Sequence, residues 1–82
     1  MPLYYCHQRA GDEFILDEEG CERPSFEAAY LAAIAGARDL MCSQVQSGRL
    51  VLDESLELHD AAGIHLATIR FEDALEITFP AP

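Results

Sequence analysis

The clearest pattern in the chain is a long apolar stretch with helical character, from Phe26 to Met41. Charged residues occur only near its two ends, so that ten consecutive residues, 28–37, contain neither a charge nor an amide. A surface helix ordinarily has one apolar stripe and one polar face. The pattern therefore predicts a helix buried on more than one side. In so short a chain, we expect the second side to contact another protein.

Signals for the beginning and the end of a helix flank this stretch. Ser25 is a suitable N-cap, and Gly48 is a suitable residue just beyond the C-terminus. The helix is expected to fray through residues 43–46. One face is predicted to meet a sheet, and it comprises Phe26, Tyr30, Ala33, Ala37, Leu40 and Met41.

Short runs of aromatic and β-branched residues predict strands on both sides of the helix. The strands are expected at residues 3–8, 14–16, 56–59 and 64–71, with weaker extended segments at 21–23 and 50–52. Asp17–Gly20 and Asp60–Gly63 share an Asp-x-x-Gly spacing that is typical of turns. Residues 71–75 are expected to form a helical turn, and the tail from about residue 79 is expected to be irregular.

The predicted order β-β-(β)-α-β-β indicates an α+β fold in one domain, residues 1–82. A small antiparallel sheet with one long helix on one face is the natural two-layer arrangement for this order. The other face of the sheet would then be open to water or to a partner.

Composition narrows the range of partners. The net charge is −10, and all five basic residues are arginines. Nucleic-acid binding draws most of its affinity from basic side chains, so we expect no nucleic-acid partner. The negative charge is compatible with a partner that has a basic surface, and it is equally explained by solubility alone. No apolar run is long enough to cross a membrane, and the three cysteines follow no secretory signal, so we expect a cytoplasmic protein with reduced thiols.

The candidate chemistry is weak. Neither a Cys-x-x-Cys nor a His-x-x-x-His spacing is present, and the acidic clusters do not follow a calcium-loop pattern. If the last hairpin turns through residues 61–63, His59 and His65 would lie opposite each other, close enough to share a metal ion or else to form a solvated pair on the outer face of the sheet. A one-residue change of register would separate them. Cys6 and His7 are neighbours on a strand and point to opposite faces, so they cannot form a catalytic dyad. We therefore assign no catalytic residue, cofactor or metal, and expect no enzyme.

The most specific signal is the spacing of small residues along the helix. Ala28, Ala32 and Gly36 recur every four residues, which lets a neighbouring backbone approach closely. A glycine inside a helix costs about 1 kcal/mol relative to alanine, so its presence needs a reason. Either Gly36 packs on the chain's own sheet, or it contacts a second copy. We predict a self-associating interaction module, most simply a homodimer, whose interface comprises Leu31, Ala32, Ile34, Ala35 and Gly36.

Several motifs resemble a family of small bacterial proteins, common in alphaproteobacteria, whose domain has no known function. The resemblance covers nearly the whole chain and rests on the opening Met-Pro-Leu-Tyr-Tyr, the Asp17–Gly20 turn with Glu22 and Pro24, the helix ending Ala37-Arg38-Asp39-Leu40, the Asp60–Gly63 turn, and Phe71-Glu72-Asp73-Ala74-Leu75. It implies no catalytic residues. Members often have phenylalanine and aspartate in place of Cys6 and His7, which argues against a shared functional role for these two residues.

A second resemblance is restricted to the first half of the chain. Gly20-Cys21 followed by Glu27-Ala28-Ala29 is similar to the antitoxin halves of certain toxin–antitoxin pairs. It implies an alternative function, an antitoxin-like regulator that masks a basic partner protein. The resemblance does not include the separate DNA-binding segment of such antitoxins.

Overall fold

The computed structural model describes residues 1–81, and in that range the chain forms one antiparallel sheet and one long helix. The elements in chain order are the strands β1 (Leu3–Ala10), β2 (Glu13–Ile15) and β3 (Cys21–Glu22), the helix α1 (Phe26–Gln46), the strands β4 (Ser55–Asp60) and β5 (His65–Arg70), and a single 3₁₀ turn (Phe71–Asp73). This order confirms the predicted α+β fold. The irregular tail is confirmed for residues 79–81, while Pro82 lies outside the described residues.

The sheet has the strand order β2-β1-β4-β5, and β3 shares the outer edge of β1 with β2. β2 pairs with the end of β1, where Arg9 lies opposite Phe14, and β3 pairs with its beginning, where Tyr4 lies opposite Cys21. All pairings are antiparallel. Two short strands therefore cover one edge of β1 and leave a gap between them.

Glycines with positive φ close the turns. Both Asp-x-x-Gly predictions are confirmed: Gly20 has φ +72° and Gly63 has φ +83°. Oδ1 of Asp17 accepts the N–H of Gly20 at 3.1 Å, and Oδ1 of Asp60 accepts the N–H of Ile64 at 2.9 Å. The short aspartate side chain thus holds each turn through backbone N–H groups.

Hydrogen bonds at both ends define helix α1. The Oγ of Ser25 accepts the N–H of Ala28 at 3.1 Å, which confirms the N-cap. At the other end, Gly48 has φ +85°, and the N–H of Arg49 donates to the carbonyl of Gln44 at 3.1 Å. The prediction of fraying is wrong, because these bonds hold the helix intact to Gln46. The extended segment predicted at residues 50–52 belongs instead to the loop before β4.

The core lies between α1 and the centre of the sheet. One stripe of the helix is buried, and it consists of Ala29, Ala33, Ala37 and Met41. It packs with Leu56, Leu58 and Ile69 of the sheet and with Phe71 and Ala74 of the closing turn. The predicted helix face is wrong at Phe26, which is 42% exposed, because the stripe begins at Ala29. The helical turn predicted at residues 71–75 is confirmed as the 3₁₀ turn, and it is buried through Phe71 and Ala74.

The helix lies off the centre of the sheet. It packs chiefly on β4, β5 and the 3₁₀ turn, and less on β1. Alanines form its buried stripe, and their small side chains reach only the strands directly beneath. The helix-facing side of β1 is therefore only partly covered. None of the helical segments in residues 1–81 is both long and apolar enough to cross a membrane.

Candidate interaction surface

A groove runs between α1 and the outer edge of the sheet, above β1. Its first part is a cleft of about 170 Å³ whose surface is mostly apolar. The floor and walls of this cleft include Tyr4, Cys6, Cys21, Ala32, Gly36 and Leu58. The off-centre position of the helix explains the cleft, because β1 presents Tyr4 and Cys6 to a space that α1 does not fill. We call this space and its continuation along the helix the helix-side groove.

The second part of the helix-side groove is wider and more open. It shares Cys6 and Gly36 with the first part and continues past Leu16 toward Asp39 on the helix. The first part is bordered by Arg23. The groove therefore has a cationic side chain at one end and an anionic side chain at the other.

Gly36 forms part of the wall of both parts of the groove. A Cβ atom added to it would lie 3.9 Å from Cδ1 of Leu56, which is an ordinary van der Waals distance. The chain's own packing therefore has room for alanine at this position. Of the two explanations for a glycine inside the helix, tight packing on its own sheet is the one that this distance disfavours.

The five predicted interface residues occupy three environments. Ala32 and Gly36 line the helix-side groove. Leu31 is 66% exposed, and Ala35 is also exposed, on the part of the helix that faces away from the core. Ile34 is half-buried and packs against the chain's own core. Four of the five residues are thus accessible along one side of α1, beside the groove.

Sequence reasoning did not find the contacts of Asp17 at the edge of the groove. Its Oδ2 accepts the backbone N–H of Cys6 at 3.1 Å, and its own N–H donates to Nδ1 of His7 at 2.9 Å. Burial, with a smaller contribution from the carboxylate of Asp17, raises the pKa of the Cys6 thiol to about 11. Cys6 is therefore a neutral, apolar part of the groove floor rather than a nucleophile.

The opposite face of the sheet carries a row of three histidines. The ring centroids of His7 and His59 are 4.7 Å apart, and those of His59 and His65 are 5.4 Å apart. His59 lies directly opposite His65, which is the alignment that the sequence made conditional on a turn through residues 61–63. A β-bulge makes this possible: Leu58 pairs with Ala67 and His59 pairs with His65, so Leu66 is the extra residue. Simple alternation would have turned His65 toward the helix.

Polar contacts fix the central histidine of the row. Nδ1 of His59 lies 3.2 Å from the carbonyl of Gly63, and its Nε2 lies 3.5 Å from Oε1 of Glu57. The other oxygen of Glu57 accepts a bond from Nε of Arg9 at 2.8 Å. The bond from Arg9 lowers the pKa of Glu57, and the bond from His59 adds to this against the opposing effect of burial. In residues 1–81, no three or more His, Cys, Asp or Glu side chains already surround a common point as metal ligands would.

The fold and its groove define a class of small α+β domain, in which one helix covers part of one face of an antiparallel sheet. The family model described as "Domain of unknown function (DUF6894)" matches residues 3–72, and the chain belongs to this family. The match includes every strand and the whole of α1. The predicted membership of a family of unknown function is thereby confirmed. No curated protein and no solved structure matches the chain.

Proposed function

We propose that this chain is a small protein–protein interaction module that self-associates through the helix-side groove, with α1 of one copy lying beside α1 of the other. The observation that carries the proposal is Gly36. Its presence in the helix costs about 1 kcal/mol relative to alanine. The nearest atom of its own chain leaves ordinary space for a Cβ, at 3.9 Å. Close approach by a second backbone is a reason for glycine that the monomer does not provide.

The side of α1 that borders the groove suits such an approach. Ala28, Ala32 and Gly36 are spaced four residues apart and therefore form one stripe, with Ala35 beside it. Small side chains allow two helices to pack with their backbones close together. The groove next to this stripe offers space for side chains of a second helix.

The groove is complementary to itself in charge. Arg23 lies at one end and Asp39 at the other. A two-fold axis perpendicular to α1 near Ala32 would exchange the two ends, so that Arg23 of each copy faces Asp39 of the other. These pairs would be exposed at the rim and would contribute mainly to orientation.

Association would also cover an apolar side chain that the monomer exposes. Leu31 is 66% exposed and lies on the part of α1 that faces away from the core. Transfer of apolar surface out of water stabilises a complex by roughly 25 cal/mol per Å². In this proposal, the outer side of the helix is the rim of the dimer interface.

We place this module in the bacterial cytoplasm. Cys6, Cys21 and Cys42 are all unpaired, and the last two are exposed. Exposed thiols persist in a reducing compartment and are oxidised elsewhere. The family resemblance to small bacterial proteins agrees with this location.

Disulfide trapping tests the location of the interface. The variant Ala32→Cys is prepared in a background without native cysteines (Cys6→Ala, Cys21→Ser, Cys42→Ser) and oxidised with a mild oxidant. We expect rapid formation of a covalent dimer, because a residue near a two-fold axis lies close to its own counterpart. The control is Val45→Cys in the same background, at an exposed position on the last turn of α1. Equal and slow crosslinking of both variants would place the interface elsewhere.

A further inference from the structure

On the face of the sheet opposite the helix-side groove, a nitrogen of His59 and an oxygen of Glu57 lie close together, and both are hydrogen-bond acceptors when His59 is neutral. A carbonyl oxygen can only accept, so the 3.2 Å contact with Gly63 requires Nδ1 of His59 to carry the proton. Neutral His59 then has its lone pair on Nε2. This nitrogen lies 3.5 Å from Oε1 of Glu57, which is also an acceptor. A proton on Nε2, a bridging water that donates to both atoms, or a metal ion bound to both atoms would each satisfy this pair.

The separation of these two atoms suits a metal ion. Zinc binds histidine nitrogen and carboxylate oxygen at about 2.0–2.2 Å, and two ligands of a tetrahedral ion are then about 3.4 Å apart. The observed distance from Nε2 of His59 to Oε1 of Glu57 is 3.5 Å. The contacts behind these ligands also resemble those of metal sites, since a backbone carbonyl orients the imidazole and Arg9 holds the second carboxylate oxygen at 2.8 Å.

His65 is placed to supply a third ligand. Two imidazoles on one tetrahedral ion have ring centroids about 5.2 Å apart, given metal–nitrogen bonds of about 2.05 Å. The centroids of His59 and His65 are 5.4 Å apart, and the rings are nearly perpendicular at 81°. Nε2 of His65 contacts the hydroxyl of Thr68 at 2.8 Å. When that hydroxyl accepts, Nδ1 of His65 carries the lone pair.

His7 belongs to the same row but has the wrong tautomer for a ligand. Its Nδ1 accepts the backbone N–H of Asp17 at 2.9 Å, so the proton of the neutral ring is on Nε2. Neither nitrogen of His7 then offers a lone pair to an ion. Of the three histidines in the row, His59 and His65 are therefore candidate ligands, and His7 is not.

We propose that His59, His65 and Glu57 bind one divalent transition-metal ion of the zinc class, with water in the remaining coordination positions. The three side chains do not converge on one point, so binding requires the exposed His65 ring to rotate toward His59 and to give up its contact with Thr68. The proposal departs from the expectation of no metal because the bulge at Leu66 places His59 beside His65, an alignment that the sequence left conditional on the hairpin register. It is independent of self-association, which uses the other face.

Cobalt(II) titration of the intact chain tests the site, because Co²⁺ replaces Zn²⁺ and its visible absorption reports tetrahedral coordination. We expect one saturable site per chain with no thiolate charge-transfer band, which excludes Cys21 and Cys42 as ligands. His59→Ala should abolish binding, and His65→Ala and Glu57→Gln should each weaken it at least tenfold.

The matched control is His7→Asn, whose side-chain oxygen can still accept the N–H of Asp17. Its affinity for Co²⁺ should equal that of the wild type, and circular dichroism should show that all four variants are folded. Absence of saturable binding, or equal affinity in His59→Ala and the wild type, would overturn the proposal. A loss in His7→Asn as large as that in His65→Ala would overturn the ligand assignment.

Discussion

The carboxylate of Asp17 accepts a hydrogen bond from the backbone N–H of Cys6 at 3.1 Å. That N–H points to the edge of β1, in the gap between the residues that pair with β2 and those that pair with β3. The same carboxylate accepts the N–H groups of Glu19 and Gly20. Asp17 thus replaces a missing stretch of strand with a side chain and fixes the turn that brings β3 to the sheet.

We expect Asp17→Asn to destabilise the fold by about 1–3 kcal/mol. Hydrogen bonds to an ionised carboxylate are stronger than those to an amide oxygen. In addition, the NH₂ group of the asparagine would face a backbone N–H, and two donors cannot form a hydrogen bond with each other. Urea unfolding followed by circular dichroism measures the change. The control is Asp12→Asn, at the exposed turn between β1 and β2. Equal stability of the two variants would show that Asp17 does not support the edge of the sheet.

The same residue predicts a pH dependence. Burial acts to raise the pKa of Asp17, but the N–H donors of Cys6, Gly20 and Glu19 outweigh burial and lower it. A group with a lowered folded pKa stabilises the protein above its unfolded pKa, and this contribution is lost as the pH falls through the folded value. Wild-type stability should therefore fall below about pH 4. A fall of the same size in Asp17→Asn would contradict this origin.

Gly20 is predicted to be the most sensitive of the turn glycines. Its φ is +72°, and an added Cβ would lie 3.0 Å from Cε1 of Tyr5 and 3.1 Å from the carbonyl oxygen of Tyr4. Gly11 also has positive φ, at +62°, but an added Cβ would have no atom within 4 Å. Thermal or urea unfolding of the two alanine variants separates backbone strain from steric contact. We expect about 1 kcal/mol for Gly11→Ala and at least twice that for Gly20→Ala.

Cys6 should be the least reactive of the three thiols. Burial and the charge of Asp17 raise its pKa to about 11, so only a small fraction is thiolate at pH 8. With iodoacetamide at pH 8 and mass-spectrometric mapping, we expect Cys6 to be alkylated at least tenfold more slowly than the exposed Cys21 and Cys42. The difference should vanish in guanidinium chloride. Equal alkylation rates for the three thiols in the folded protein would mean that Cys6 ionises as readily as an exposed cysteine, and this would contradict its burial in the groove floor.

Local patterns predicted most of the fold. The N-cap Ser25, the two Asp-x-x-Gly turns and the order of strands and helix along the chain depend on residues close together in the sequence, and the structure confirms them. Alternation also placed Cys6 and His7 on opposite faces of β1. The side of the helix that meets the sheet was harder to predict, because an alanine-rich helix is apolar on every side.

The rest depends on how separate elements meet. The bonds of Asp17 to Cys6 and His7 span 11 and 10 residues, and they form only because β2 and β3 share one edge. The off-centre position of α1, which creates the helix-side groove, follows from three-dimensional packing of alanines. The bulge at Leu66 has no marker such as glycine in the sequence, so the alignment of the histidines had to remain conditional.

Ionic strength distinguishes self-association from binding to a basic partner. Each copy has a net charge of −10, so two copies repel each other. Raising NaCl from 0.1 M to 1 M shortens the screening length from about 10 Å to about 3 Å. Self-association should therefore tighten with salt, as measured by light scattering. Weakening with salt would contradict like-charged association, and it is the behaviour expected of an acidic protein on a basic partner.

The most direct test of the proposed interface is sedimentation equilibrium, in the presence of reductant, of the wild type, Gly36→Leu and the control Gln46→Leu. Leucine at position 36 has room for its Cβ next to Leu56 but fills the groove, so the variant should keep its helix content. We predict that the wild type and Gln46→Leu approach twice the mass of one chain as concentration rises, whereas Gly36→Leu remains monomeric. A wild-type monomer at all concentrations, or a Gly36→Leu variant that associates like the wild type, would contradict association through the helix-side groove.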